Sequence, residues 1–333
     1  MARRKLTDQQ KARIAKIQEQ RRAKAQSRAD DALANAENST ALTGRVVIRH
    51  GQSVVIENDA GEQILCLFRQ NLGDVVCGDR VLWHATEDDQ GVVTAVEPRD
   101  TTLARPDYSG REKPIAANIT QLFVVLAPEP EPSGYLLDQY LITSERIGVK
   151  ATIVLNKADL MSDEQRQTFF DRFAHYPKLG YPIIQASAKT ELGLQPLYDA
   201  MNGHTNILVG QSGVGKSSLI NALMPEHTAE EGKISETTGY GRHTTSTATL
   251  YHLPSGGEMI DSPGVRSFRL TEFDRRTLEL GYPEIRDLIG QCKFNNCSHH
   301  DEPNCAVQAA AENGEIHPDR LASFLNMAEQ ATN

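Results

Sequence analysis

A chain of 333 residues with 39% apolar and 24% charged side chains can bury a full core in one central domain and still carry smaller flanking domains, so two or three domains are expected. Its longest apolar run, Leu122-Phe123-Val124-Val125-Leu126-Ala127, is too short to span a bilayer, and its N-terminus is charged without an apolar signal core. These features argue against membrane and secreted classes and predict a soluble cytoplasmic protein, taken as a monomer. The formal net charge of -9 is unevenly spread: residues 1–28 hold ten Lys or Arg against two acids, and the rest of the chain holds 25 against 42.

Residues 1–38 form the basic tail. The run Lys11-Ala12-Arg13-Ile14-Ala15-Lys16-Ile17 is rich in helix formers but has only a thin apolar stripe, so the tail cannot pack a core alone and reads as disordered or helical. Its charge suits the phosphate backbone of RNA, where it would release counterions on binding; the alternative is a solubilising extension.

Between 39 and 103 the pattern changes to short β-rich runs. Segments 45–48, 53–56, 64–68, 80–83 and 91–96 alternate with Gly, Asn and Asp turn signals, which suits a small five-stranded barrel. An OB-fold is the natural candidate and an SH3-like barrel the rival. Phe68 and Trp83 are the aromatics that could stack bases, and both could equally be core.

From 104 to 270 apolar strands alternate with helical stretches, as a three-layer α/β domain requires. The predicted strands are 122–126, 152–155, 182–185, 206–209, 248–252 and 258–260, and chemistry-bearing motifs follow four of them, at the carboxyl ends where parallel sheets bind ligands. Strand 206–209 runs into Gly210-Gln211-Ser212-Gly213-Val214-Gly215-Lys216-Ser217-Ser218 and then a helix. This is the strand, glycine loop and helix of a phosphate-binding loop: the backbone amides cradle phosphates, Lys216 bridges the β- and γ-phosphates, and Ser217 offers its hydroxyl to Mg²⁺. Asp261-Ser262-Pro263-Gly264 follows the last strand, so Asp261 can hold the magnesium through water while the Gly264 amide reaches the γ-phosphate. Asn156-Lys157-Ala158-Asp159 ends strand 152–155. There the Asp159 carboxylate can accept from the N1–H and exocyclic amine of guanine, a pairing that adenine leaves unsatisfied. Ser187-Ala188-Lys189 follows the next strand and can offer the Ala188 amide to the guanine O6. In an ordinary GTPase the guanine-reading motif comes after the phosphate loop. Here it comes before, which implies a domain whose chain has been cut and rejoined.

Residues 271–333 read as helical, with helices over 304–313 and 318–328. They carry Cys292-x4-Cys297-x-His299-x5-Cys305, with His300 adjacent. Three thiolates and one imidazole satisfy a closed tetrahedral Zn²⁺ shell, which leaves no position for a substrate water and so predicts one structural zinc. Cys66 and Cys77 read as reduced thiols.

Across nearly its full length the chain resembles the circularly permuted, ribosome small-subunit-dependent GTPases, in which an OB barrel, a permuted GTPase domain and a zinc domain follow one another. The resemblance implies slow GTP hydrolysis to GDP and phosphate, stimulated by the small ribosomal subunit. It also implies a late role in maturation of that subunit, with binding to its ribosomal RNA and departure after hydrolysis. It favours His299 over His300 as the zinc ligand and places switch I at 237–245, where one of Thr244 and Thr245 completes the magnesium shell. Val265 stands where many GTPases carry the glutamine that orients the attacking water, and valine cannot do that. His243 is the local candidate for that role, and the resemblance points the same way. Because the chain passes from Gly264 into the zinc lobe within a few residues, nucleotide state is expected to bias the position of that lobe. The rivals are an RNA-binding scaffold that uses GTP only as a structural ligand, and a GTPase serving another RNA or the large subunit.

Overall fold

The computed structural model describes residues 40–51, 53–86, 90–107, 111–225, 248–262 and 274–331, together with residue 27. The chain divides into two compact units, 1–99 with 234–250 and 100–233 with 251–333.

Among the described residues, the barrel of the first unit is built from five strands, β1 (Leu42–His50), β2 (Ser53–Glu57), β3 (Gln63–Phe68), β4 (Arg80–Ala85) and β5 (Gly91–Val96). They pair in the closed cycle β1-β2-β3-β5-β4-β1, with β3 and β5 parallel and the other pairs antiparallel. This closure defines the OB-fold and removes free sheet edges. Register shifts at Val46/Ile48 and at Leu82/Trp83 supply the local bends that closing so small a barrel requires. Val46, Val54, Ile56, Cys66, Phe68, Val81, Trp83 and Val93 fill the interior. The Trp83 indole donates to the Thr43 carbonyl at 3.0 Å. Phe68 and Trp83 are thus core residues, and the barrel offers neither ring as an open stacking platform.

The second unit opens with a hairpin that the sequence pattern did not reveal, β6 (Thr102–Pro106) with β7 (Glu112–Ala117). Next come β8 (Gln121–Leu126), α1 (Gly134–Ile147), β9 (Lys150–Leu155), α2 (Asp163–Phe173), α3 (His175–Lys178), β10 (Ile183–Gln185), α4 (Leu194–Met201), β11 (Thr205–Val209) and α5 (Lys216–Leu223). The chain re-enters this unit at residue 251, within β12 (Ala248–His252), and a turn closed from the Leu253 amide to the Gly257 carbonyl leads into β13 (Glu258–Asp261). The strands β10-β9-β8-β11-β13 are hydrogen-bonded in that order and parallel throughout. Every residue of β8 and β11 is buried, as expected of central parallel strands covered on both faces. The helix ends follow from local chemistry. Ser133 caps α1 by accepting from the Leu136 amide, and Gly148 ends it in the left-handed conformation. Ser162 and Gln165 form a reciprocal capping box on α2.

Among the described residues, four helices follow in the C-terminal part, α6 (Arg275–Gly281), α7 (Pro283–Arg286), α8 (Ala306–Glu312) and α9 (Pro318–Gln330). Their core is not self-contained: Ile142 of α1 belongs to the same apolar cluster as Leu278, Tyr282, Ile285, Val307, Phe324 and Met327. At Gly281 a Cβ would lie 2.5 Å from the Ile142 side chain, so the bare glycine is what lets α6 approach α1 so closely. Among the described residues, no helix is long and apolar enough to cross a membrane.

Candidate nucleotide and metal sites

At the carboxyl ends of the parallel strands, the sheet order brings together motifs that are far apart in the chain. The loop after β11 has Gly210, Gly213 and Gly215 at φ 141°, 89° and 92°. At two of these the missing side chain is required by neighbours as well as by backbone angle. A Cβ on Gly210 would sit 2.3 Å from the Val125 carbonyl oxygen, and one on Gly215 would sit 2.5 Å from Asn156 Nδ2. The second contact ties the loop to the segment after β9. Asn156 Nδ2 donates to the Val214 carbonyl at 2.9 Å, while Lys157 Nζ donates to the carbonyls of Gly213 at 2.7 Å and Glu129 at 3.1 Å. Lys157 itself takes a left-handed φ of 59°, which turns the chain out of β9 and into the short helical turn Ala158–Leu160 containing Asp159.

The segment after β10 joins the same side. The Ala158 amide donates to the Ala186 carbonyl at 3.1 Å, and the buried Ser187 accepts at its Oγ from the amides of Lys189 and Thr190, both at 3.2 Å. On the other side of β8, the Lys216 ammonium is nearly buried and donates to the carbonyls of Gly210 and Gln211, each at 2.7 Å. Ser217 and Ser218 lie in the first turn of α5 and are exposed. Asp261 ends β13, next to β11 in the sheet. The oxygen donors of Ser217 and Asp261 suit a hard cation such as Mg²⁺. His243, Thr244, Thr245, Val265 and Gly264 lie outside the described residues, as does the basic tail apart from residue 27.

In the C-terminal part, Cys292, Cys297, His299 and Cys305 present ligand atoms that all lie within 4.8 Å of one another. A tetrahedral zinc with Zn–S near 2.3 Å and Zn–N near 2.05 Å sets ligand separations of about 3.8 Å for two sulfurs and about 3.5 Å for sulfur and nitrogen. The observed separations are 3.9 Å for Cys292 Sγ to Cys305 Sγ, and 3.6 and 3.4 Å for His299 Nδ1 to the same two sulfurs. The donor set and its spacing therefore fit zinc. His300 is turned elsewhere, with Nε2 3.7 Å from Glu329. Burial, helped by the positive charge of Arg275, holds the His299 imidazole below its usual pKa and so in the neutral form a metal needs. Its other nitrogen, Nε2, lies 3.6 Å from Glu279 Oε1, the carboxylate partner that commonly orients a ligating histidine. Glu279 was not singled out by the sequence, since a glutamate 20 residues before the histidine carries no spacing signal. Arg275 also donates to the Cys297 carbonyl, and the Ala306 amide to Cys292 Sγ at 3.4 Å.

A glycine loop joining a central parallel strand to a helix, with an Asn-Lys-x-Asp segment laid against it from the end of β9, on the far side of β8, defines a phosphate-loop GTPase whose elements run along the chain in permuted order. The comparisons with known proteins agree. Residues 96–271 match the model of the family described as RsgA GTPase. The chain is 46% identical to the small ribosomal subunit biogenesis GTPase RsgA of Hahella chejuensis, over 99% of this chain and 97% of that protein. It is 44% identical to the protein of the same name from Azotobacter vinelandii, over 97% and 96%. Its fold is similar to the crystal structure of YjeQ from Thermotoga maritima, with a TM-score of 0.71 and 32% identity over 87% of this chain and 98% of that one. It is also similar to YloQ, described as a circularly permuted GTPase, with a TM-score of 0.69 and 28% identity over 87% and 95%. The chain belongs to the RsgA GTPase family, and it is a GTP-hydrolysing enzyme.

Proposed function

We propose that the chain hydrolyses GTP as a maturation factor of the small ribosomal subunit. The subunit stimulates the reaction, the protein engages ribosomal RNA through its basic tail, barrel and C-terminal lobe, and it departs once GDP and phosphate have formed. The observation that carries the nucleotide part is the direct bonding of Asn156 and Lys157 to the carbonyls of Val214 and Gly213, which holds a guanine-reading segment against a phosphate loop. The names of the relatives support the ribosomal part.

In this reading the amides of Gly210 to Ser218 cradle the phosphates, and Lys216 leaves the loop carbonyls to bridge the β- and γ-phosphates. Asp159 accepts from the guanine N1–H and amine, Ala188 donates to O6, and Ser187 and Lys189 fix the turn that aims that amide. Mg²⁺, held by Ser217, Asp261 and one of Thr244 and Thr245, would neutralise charge on the β- and γ-phosphates. His243 orients the attacking water and Gly264 donates its amide to the γ-phosphate. Zinc on Cys292, Cys297, His299 and Cys305 is structural. The proposed divisions are a tail over 1–38, barrel over 39–103, GTPase domain over 104–270 and zinc lobe over 271–333. The site of action is the cytoplasm and the working state a monomer.

The test is co-sedimentation of the protein with isolated ribosomal subunits at rising salt, in the presence of GDP or a non-hydrolysable GTP analogue, with turnover measured in the same samples. Salt-sensitive, analogue-dependent binding to small subunits together with stimulated turnover is expected. Equal binding with GDP, or stimulation by large subunits instead, would overturn the reading. Within it, His243→Ala should lower stimulated turnover with little loss of GTP affinity, and unchanged turnover would remove His243 from the mechanism.

A further inference from the structure

The parallel sheet has two ends, and the nucleotide motifs occupy only one of them. At the other, the amino ends of β8 and β9 and the turns leading into β10 and β11 line a cavity of about 550 Å³, a size typical of small-molecule sites. The last turn of α1 closes one wall through Ser144 and Glu145, and α4 contributes Ala200. Strands β8 and β9 each run six residues from this end to the nucleotide end, roughly 16 Å at the usual rise of a parallel strand. The cavity is therefore separate from the phosphate loop and from the guanine motifs.

Gln121 gives the cavity its chemistry. Its side chain lines the space and is only 5% exposed. Nε2 donates to Thr152 Oγ1 at 3.1 Å, while Oε1 is buried with no hydrogen-bond partner among the described residues. Turning the amide over would give Thr152 the oxygen and leave the NH₂ group unmatched instead, so one end of this amide lacks a partner in either orientation. A buried amide left half-paired is costly, and a ligand that completes the pairing recovers that cost.

Charge on the walls is already met from within the protein. Glu145 Oε1 accepts from the Tyr181 hydroxyl at 3.0 Å and its Oε2 from Arg286 at 3.2 Å. His204 Nδ1 lies 3.1 Å from Thr120 Oγ1, and Lys150 is exposed to solvent. A charged ligand would lose hydration here without gaining a buried counter-charge. What the cavity offers is a neutral amide beside a hydroxyl, with the Tyr181 ring, Leu179 and Pro182 as apolar wall. That combination suits a flat heterocycle whose edge carries donors and acceptors side by side, as a nucleobase does.

We propose that this cavity is a second ligand site, which takes an uncharged nucleoside through Gln121 and Thr152 independently of the GTP site at the opposite end of the sheet. It is lined wholly by residues between 121 and 204 and uses none of the nucleotide motifs.

The experiment titrates adenosine, guanosine, cytidine and uridine into the full-length, zinc-loaded protein by calorimetry, with and without saturating GDP. Wild type is compared with Gln121→Leu, which removes the amide at similar size, and with Ala200→Phe, which fills the cavity from α4; the melting temperature of each is measured without nucleoside. At least one nucleoside is expected to bind wild type with a Kd below about 1 mM, equally well with and without GDP. Gln121→Leu should weaken that binding about tenfold and Ala200→Phe should abolish it, with melting temperatures close to wild type. Should one variant fail to fold, the other decides. No binding of any of the four nucleosides at millimolar concentration overturns the proposal. So does displacement of the nucleoside by GDP, which would put it in the nucleotide site, or binding that a folded variant leaves unchanged.

Discussion

The parallel sheet and the C-terminal helices are parts of one compact unit, yet they are held by different physics. In the sheet, β8 and β11 are buried along their whole length and are mostly apolar, and stability is spread over many interchangeable contacts. In the C-terminal part the apolar cluster includes two cysteines and borrows Ile142 from α1, while its specific ties are a four-residue metal set and one buried arginine shared by two carboxylates. Loss of one methyl group in the sheet should be absorbed. Loss of one ligand or one charge partner in the C-terminal part should not.

The sharpest way to break that contrast is to remove the metal. Cys305→Ser, or a strong chelator, should release zinc and unfold the C-terminal helices, an effect on the scale of about 10 kcal/mol of metal-coupled folding. Limited proteolysis should then cut within 275–331 while the barrel persists. Retention of a protected C-terminal fragment without zinc would show that the apolar cluster suffices. Next in size is Arg320→Ala, which strands Asp138 and Glu284 and should cost about 3–5 kcal/mol by denaturant melting. The volume-conserving exchange Leu208→Met in β11, a buried position of the sheet, should by contrast cost under about 1.5 kcal/mol.

Lys216→Ala should lower turnover by about two to three orders of magnitude with little change in melting temperature, since it removes a charge that serves the site more than the sheet. A comparable fall in stability would blur the distinction between the regions. The smallest expected effect lies between α3 and α9, where the rings of His175 and His317 stack at 3.9 Å. Burial, and then the neighbouring His317, depresses His175 from 6.5 to about 4. A depressed histidine favours the neutral folded form, so its contribution is fully present above pH 6.5 and is lost as the pH falls toward 4. Because the ring is only partly buried, the loss should be about 1 kcal/mol after solvent screening. His175→Gln should flatten the fall of melting temperature over that window, and an unchanged slope would remove His175 as its cause.

The sequence was most readable where a local rule decides the structure. The five barrel strands, the six central strands and the loop between β11 and α5 are each announced by alternation, apolar runs or glycine spacing. The hairpin of β6 and β7 was not, since Pro106 and Pro114 interrupt strand patterns and its pairing is settled by tertiary context. The buried charge cluster was hidden for another reason: Arg320 and Asp138 are 182 residues apart, and no local signal pairs them. One trace was available. The buried face of α9 carries Arg320, Ser323, Phe324 and Met327, a helical stripe in which an arginine occupies a core position and so demands a buried anion. The Asn156–Asp159 motif was legible from its residue spacing at a strand end, whereas the grip of Lys157 on Gly213 and Glu129 required the fold.

The central claim is that segments in permuted order assemble one pocket selective for guanosine triphosphate. Competition binding on zinc-loaded protein tests it most directly, with labelled GTP displaced by unlabelled GTP, ATP or GDP in wild type and in Asp159→Asn. The account predicts that GTP and GDP displace the label, that a large excess of ATP does not, and that Asp159→Asn loses this preference for guanine. Ready displacement by ATP, or guanine selectivity surviving in Asp159→Asn, would contradict it.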